Sequence, residues 1–225
     1  MITVLQDHKF DGKLKNKFMK ILRIDSSVRI ENSKTRMLTD HFLEQIKNHS
    51  SYSLKSRDVG INPPKFPTDQ FIKANYTPEM NRTQEMKNVL TSSDTLIEEL
   101  IDADKIIIAS PMYNFSISAT LKAYIDNIVR VGKTFALDEN GAMKGLLGGK
   151  KVLVITSRGA MSYKNGEVLQ PFDFQENYLT ALLNFLGITE ITFVNTEAQD
   201  FGTEDLKNSN FEQSKKQLSE LSKIW

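Results

Sequence analysis

At 225 residues, with 29 Lys and Arg against 28 Asp and Glu, the chain is long enough for one large core, and its net charge of +1 gives no excess to attract nucleic acid or an anionic membrane. The absence of cysteine excludes disulfides, thiolate nucleophiles and thiolate metal sites, and the histidines are limited to His8, His41 and His49. Without a GxSxG segment or a histidine near a candidate loop, a Ser-His-Asp hydrolase has no residues to build from, no metal cluster is visible, and any chemistry is expected to come from a bound cofactor.

Residues 1–18 are polar and read as an N-terminal extension without a functional role. The segment MITVLQDHKFDGKLKNK is too charged for a signal peptide, and no stretch approaches the roughly 18 apolar residues of a membrane span. A soluble, cytoplasmic protein with small-molecule partners is therefore expected. Strand character begins at residues 18–25 and is followed by helical spacing over 34–47, then a strand over 52–59 and a long helix over 78–101. A strand at 105–110, a helix at 117–131, a strand at 150–157, a helix at 172–186, a strand at 191–195 and a helix at 203–223 complete the chain. This alternation predicts an α/β fold, a doubly wound five-stranded parallel sheet with helices on both faces.

Ile106–Ala109 and Val152–Ile155 are continuously apolar, as central strands buried on both faces should be. On the helix after residue 116, Ile117, Leu121, Ile125 and Ile128 form a packing stripe, while Lys122, Asp126 and Arg130 read as a solvated i, i+4 ladder. Residues 143–150, with three glycines, read as a turn, because a phosphate loop would follow a strand and open a helix.

In such a sheet the ends of the first, third and fourth predicted strands meet at the switch point. The loop DSSVRIENSKTRML offers the hydroxyls of Ser27, Ser33 and Thr35 and the free N–H groups of a helix start, which suit a phosphate; the same residues would also serve an ordinary N-cap. In SPMYNFS, Met112, Tyr113 and Phe115 supply flat or soft apolar contact and Asn114 an amide, the mixture a planar heteroaromatic ring with polar edges needs; strand-end core packing is the other use for them. In TSRGAMSYKNG, Ser157 and Arg158 are polar where the strand has been apolar, and Gly159 permits close backbone approach to a ligand, unless this is a plain turn with a surface arginine. Together the three loops describe a flavin mononucleotide (FMN) pocket of the flavodoxin-like sort.

The segment PMYNFSISATLKAYIDNIVRVGKTF closely resembles the signature region of the FMN-dependent NADH-azoreductase family, whose members also act as NAD(P)H:quinone oxidoreductases and once carried the label acyl-carrier-protein phosphodiesterase. The resemblance runs from about Met19 to the C-terminal helix, making residues 19–225 a flavodoxin-like FMN-binding domain. It implies that Ser27, Ser33, Lys34 and Thr35 hold the FMN phosphate. It further implies that Met112, Tyr113, Asn114 and Phe115 line the isoalloxazine ring and that Ser157, Arg158, Gly159 and Ala160 cover its other edge. The implied activity is ping-pong, two-electron reduction of quinones and azo compounds from NADH or NADPH, in a homodimer, with no side chain acting as nucleophile. A flavodoxin-like single-electron carrier is the alternative; the near-neutral charge counts against it, because charge complementarity guides such encounters. Three positions depart from the family pattern. Ala160 replaces a second glycine, Ser118 a common proline, and Leu137 an aromatic that closes over the ligand in some members.

Overall fold

The structure, a computed structural model, describes residues 18–225; apart from Phe18, the predicted extension lies outside the described residues. The main sheet contains β1 (Met19–Asp25), β2 (Tyr52–Asp58), β3 (Lys105–Pro111), β6 (Lys151–Ser157) and β7 (Glu190–Thr196) in the order β2-β1-β3-β6-β7. Every neighbouring pair in it is parallel. After β1 the chain moves outward to β2 and then crosses to the other side of β1 for β3, which puts the switch point between β1 and β3. Register levels the strand ends there: Asp25 lies opposite Ala109, and Pro111 opposite Ser157.

On one face, α1 (Lys34–Lys47) and α6 (Glu204–Ser222) bury Leu38, Phe42, Phe211 and Leu218 against Ile107, Leu153 and Ile155. On the other, α3 (Gln84–Asp102), α4 (Ala119–Ile128) and α5 (Phe174–Phe185) bury Leu96, Leu121, Ile125 and Leu183 against Ile106, Ile108, Val152 and Val154. Alternate residues of β3 and β6 thus enter different cores, each side chain contributing about 1.5–3 kcal/mol. That is why both strands read as unbroken apolar runs.

Two regions differ from expectation. The predicted helix at 78–101 begins as a single 3-10 turn at Glu79–Asn81, and α3 starts only after Thr83, whose hydroxyl accepts from Met86 N–H at 3.3 Å. Before it lies an unpredicted helix, α2 (Asp69–Tyr76), capped by Thr68 and burying Phe71 and Ala74 against Leu90. Arg82 joins the two by donating to the carbonyls of Ala74 and Thr77 at 3.0 and 2.9 Å, so α2 ends in side-chain hydrogen bonds invisible to local periodicity. The predicted turn at 143–150 contains β5 (Met143–Gly145), paired antiparallel with β4 (Phe135–Leu137). Three-residue strands are too short for a pattern to reveal.

Arg130 corrects the predicted solvated ladder. Lys122 and Asp126 do pair on the surface, but Arg130 is 1% exposed and reaches Asn75, Ser93 and Asp94 at 3.1, 2.8 and 2.7 Å. It fastens α2 and α3 to the end of α4. Arg130→Ala should lower stability by about 2 kcal/mol, below the ~3–5 kcal/mol of a wholly buried pair because Asp94 stays partly hydrated. Urea denaturation checks this, and an unchanged midpoint would contradict it.

Candidate functional site

At the end of β1 the chain turns back under itself. Ser26 N–H and hydroxyl both donate to Ala109 O at 3.0 Å, tying the loop to β3. Arg36, on the first turn of α1, donates to Ser27 O at 2.8 Å and to both Asp58 oxygens at 2.6 and 2.9 Å, tying it to β2. Burial pushes the Asp25 carboxyl above its ordinary value against the pull of Arg23 and Arg36. In Asp58 burial is the largest influence and pushes upward too, but the Arg36 hydrogen bond and charge, together with the Ile61 and Gly60 N–H groups, outweigh it and hold the carboxyl below the usual range.

This bracing presents the start of α1. Ser33 occupies the N-cap position, yet its hydroxyl does not bond the helix backbone and instead lies 3.4 Å from the Thr35 hydroxyl. The Met37 N–H is the donor to Ser33 O at 3.0 Å, so the N–H groups of Lys34, Thr35 and Arg36 precede the intrahelical ladder. Unmatched backbone donors at the positive end of a helix, with the Ser33 and Thr35 hydroxyls beside them, fit a phosphate. Arg36 Nε is likewise buried without an acceptor. Ser27, Ser33 and Thr35 are buried, whereas the Lys34 ammonium packs 4.8 Å over the Phe211 ring, so that only the backbone N–H of that residue is left for an anion at the helix start.

After β3, Tyr113 and Ser116 exchange backbone hydrogen bonds of 2.9 and 3.1 Å around Asn114 and Phe115. Both central residues are left-handed, with φ of 48° and 70°, as in a type I′ turn. Asn tolerates this conformation; a phenylalanine there costs on the order of 1–3 kcal/mol and needs outside support. Support comes from the Phe172 ring at 5.2 Å and from Phe174 N–H, which donates to Phe115 O at 3.2 Å. Met112 N–H donates to Ser157 O at 2.8 Å, and Tyr113 Oη accepts from Val28 N–H at 3.3 Å. These contacts bring all three predicted loops to one place. Tyr113, Asn114 and Ser116 also border an open groove of about 630 Å³ with Ile117, Lys122 and Tyr178.

Arg158 is not a surface arginine: it is 1% exposed, with Nη1 at 2.9 Å from Asp173 and 3.5 Å from Glu197, and Nη2 at 3.3 Å from Glu176. It borders, with Asp173, Glu176, Asn195 and Glu197, a groove of about 670 Å³ beside β7. Gly159 makes its close approach to the chain itself, since a Cβ there would sit 2.7 Å from Asp200 Oδ2 and 3.3 Å from the Phe201 ring. Ala160 needs no glycine, for its φ is negative and its carbonyl accepts from Ala198 N–H at 2.9 Å. Ser118 replaces proline without loss, capping α4 by accepting from Leu121 N–H at 3.1 Å. Leu137 is exposed on β4. Sequence reasoning missed Arg36 and also Gly60, two residues past β2, where the chain packs so closely that a Cβ would sit 2.0 Å from Ser27 O; only the glycine itself was a visible signal.

An anion cradle and an aromatic turn at the switch point of a doubly wound sheet define a mononucleotide-binding α/β protein of the 2-1-3-4-5 strand order. Comparison with known proteins agrees. The family described as having a flavodoxin-like fold matches residues 19–221. FMN-dependent NADH:quinone oxidoreductase 2 of Trichormus variabilis is 42% identical over 207 residues, covering 91% of this chain and 99% of that one. The FMN-dependent NADH:quinone oxidoreductase of a Nostoc species is 41% identical with the same coverage. Among solved structures, an azoreductase from Bacillus anthracis superposes with a TM-score of 0.83 at 21% identity, covering 92% of this chain and 100% of its own. The chain belongs to the flavodoxin-like fold family and, within it, to the family of the FMN-dependent NADH:quinone oxidoreductases.

Proposed function

We propose that the protein is an FMN-dependent NADH oxidoreductase that delivers two electrons, in a ping-pong sequence, to quinones and azo compounds. The observation that carries this reading is the convergence of the α1 cradle with the left-handed turn at Asn114 and Phe115, joined through Tyr113 Oη and Val28 N–H. FMN, when bound, supplies the acceptance and release of the electrons. The chain's own part is to bind and orient. Ser27, Ser33, Thr35 and the Lys34 N–H hold the phosphate, Met112, Tyr113, Asn114 and Phe115 wall the ring, and the backbone from Ser157 to Ala160 closes its other edge. No side chain is required as nucleophile.

The same reading takes residues 19–225 as one FMN-binding domain and the assembly as a homodimer in the cytoplasm. Phe115, Phe172 and Phe174 remain exposed beside the site, an apolar surface suited to a second copy. No helix among the described residues is long and apolar enough to cross a membrane.

The test is an absorbance spectrum of protein incubated with FMN and desalted, followed by anaerobic NADH and then a quinone. A yellow protein that bleaches with NADH and regains its colour with the quinone is expected; protein that stays colourless overturns the reading. Asn114→Ala should weaken FMN retention about tenfold, because alanine tolerates the left-handed position poorly and loses the amide. A fluorescence titration giving wild-type affinity would contradict that assignment.

A further inference from the structure

The two loops that wall the ring slot are joined by a closed circuit of contacts. Ser157 O accepts from Met112 N–H at 2.8 Å, leading from the end of β6 into the left-handed turn. At the far side of that turn Phe115 O accepts from Phe174 N–H at 3.2 Å. Asp173, the residue before Phe174, pairs with Arg158 at 2.9 Å, and Arg158 is the residue after Ser157. We propose that Arg158 is a positioning residue which, from outside the slot, sets the spacing between the β3 turn and the β6 loop on either side of the ring. This rests on the FMN-binding reading above.

Three features point to geometry and not to stability as the role of this arginine. A buried ion pair stabilises weakly at best, because desolvation offsets the Coulomb attraction, yet three carboxylates converge here on one guanidinium. Two of the carboxylates also hold pieces of the wall, while Glu176 accepts from Asn195 Nδ2 on β7 at 2.8 Å. Asp173 also caps α5 through Gln175 and Glu176 N–H, at 3.2 and 2.9 Å, while Glu197 accepts from Ser162 N–H at 3.2 Å and so holds the β6 loop. Only a planar fork can bridge such partners at once, and the guanidinium carbon lies over the Tyr163 ring, 5.1 Å from its centroid. Finally, the turn that the circuit closes upon is strained at Phe115 and persists only while its anchors are fixed.

The test compares wild type with Arg158→Lys and Arg158→Gln in titrations of FMN and of riboflavin, with the visible spectrum of the bound flavin and a thermal melt recorded for each. A change in ring spacing should weaken FMN and riboflavin by the same factor, about tenfold for lysine and more for glutamine, leaving their ratio unchanged and moving the bound spectrum toward that of free flavin. Variants that melt lower but bind both flavins with wild-type affinity and spectrum overturn the proposal, since they show support of the fold alone. If Arg158→Gln does not fold, Glu197→Gln, which removes one arm, must show the same paired loss in smaller degree. Its unchanged binding would also overturn the proposal. Wild-type protein that binds neither flavin overturns the cofactor reading and this one with it, so the two failures are distinct.

Discussion

Thr35→Glu is expected to weaken FMN binding about a hundredfold or more, equivalent to ~2.7 kcal/mol, while changing riboflavin binding little. Thr35 is fully buried in the first turn of α1, where the N–H groups of Lys34, Thr35 and Arg36 come ahead of the Met37 bond. A carboxylate placed there occupies those donors itself and repels a second anion. Riboflavin shares the ring and lacks the phosphate, so its binding reports whether the pocket survives the larger side chain. Fluorescence titration with both ligands measures the effect. Parallel losses for the two would mean that the phosphate lies elsewhere or that the pocket has collapsed.

Gly60→Ala should damage the same region through the backbone. A Cβ at Gly60 would sit 2.0 Å from Ser27 O and 2.6 Å from Ser27 C, and neither atom belongs to a side chain that could swing away. Gly60 N–H also donates to Asp25 O at 3.1 Å, so the turn after β2 cannot retreat without losing its link to β1. Overpacking of this kind costs typically 1–3 kcal/mol and occasionally more. With backbone contacts this short the upper end, about 3 kcal/mol, applies, and at about 2–4 °C per kcal/mol for a chain of this size a drop in Tm of roughly 6–12 °C is expected, together with weakened FMN binding. Gly148→Ala is the control, because its nearest contact is Gly187 O at an ordinary 3.5 Å. Equal melting of the two variants would show that Ser27 is not held against Gly60.

The sheet was legible because burial on both faces leaves a signature in neighbouring residues: Ile106–Ala109 and Val152–Ile155 carry it directly. The elements that escaped are stabilised from a distance. Nothing around Asp69–Tyr76 shows that Arg82 will complete the helix end, and Phe135–Leu137 becomes a strand only through Met143–Gly145. In the site, the cradle and the aromatic turn were readable from residue types whose chemistry is local. The turns taken by Arg130 and Arg158 were not, because a long side chain declares its charge in the sequence but not its partner. Gly159 illustrates a related point: a glycine signals that something comes close without naming it, and Asp200 and Phe201 are among its neighbours.

The hairpin-like bend at Asn114 and Phe115 is already wound in its high-energy sense, pinned at both ends by main-chain bonds. The cost of that distortion is carried by the chain's own contacts, which hold this stretch to one shape.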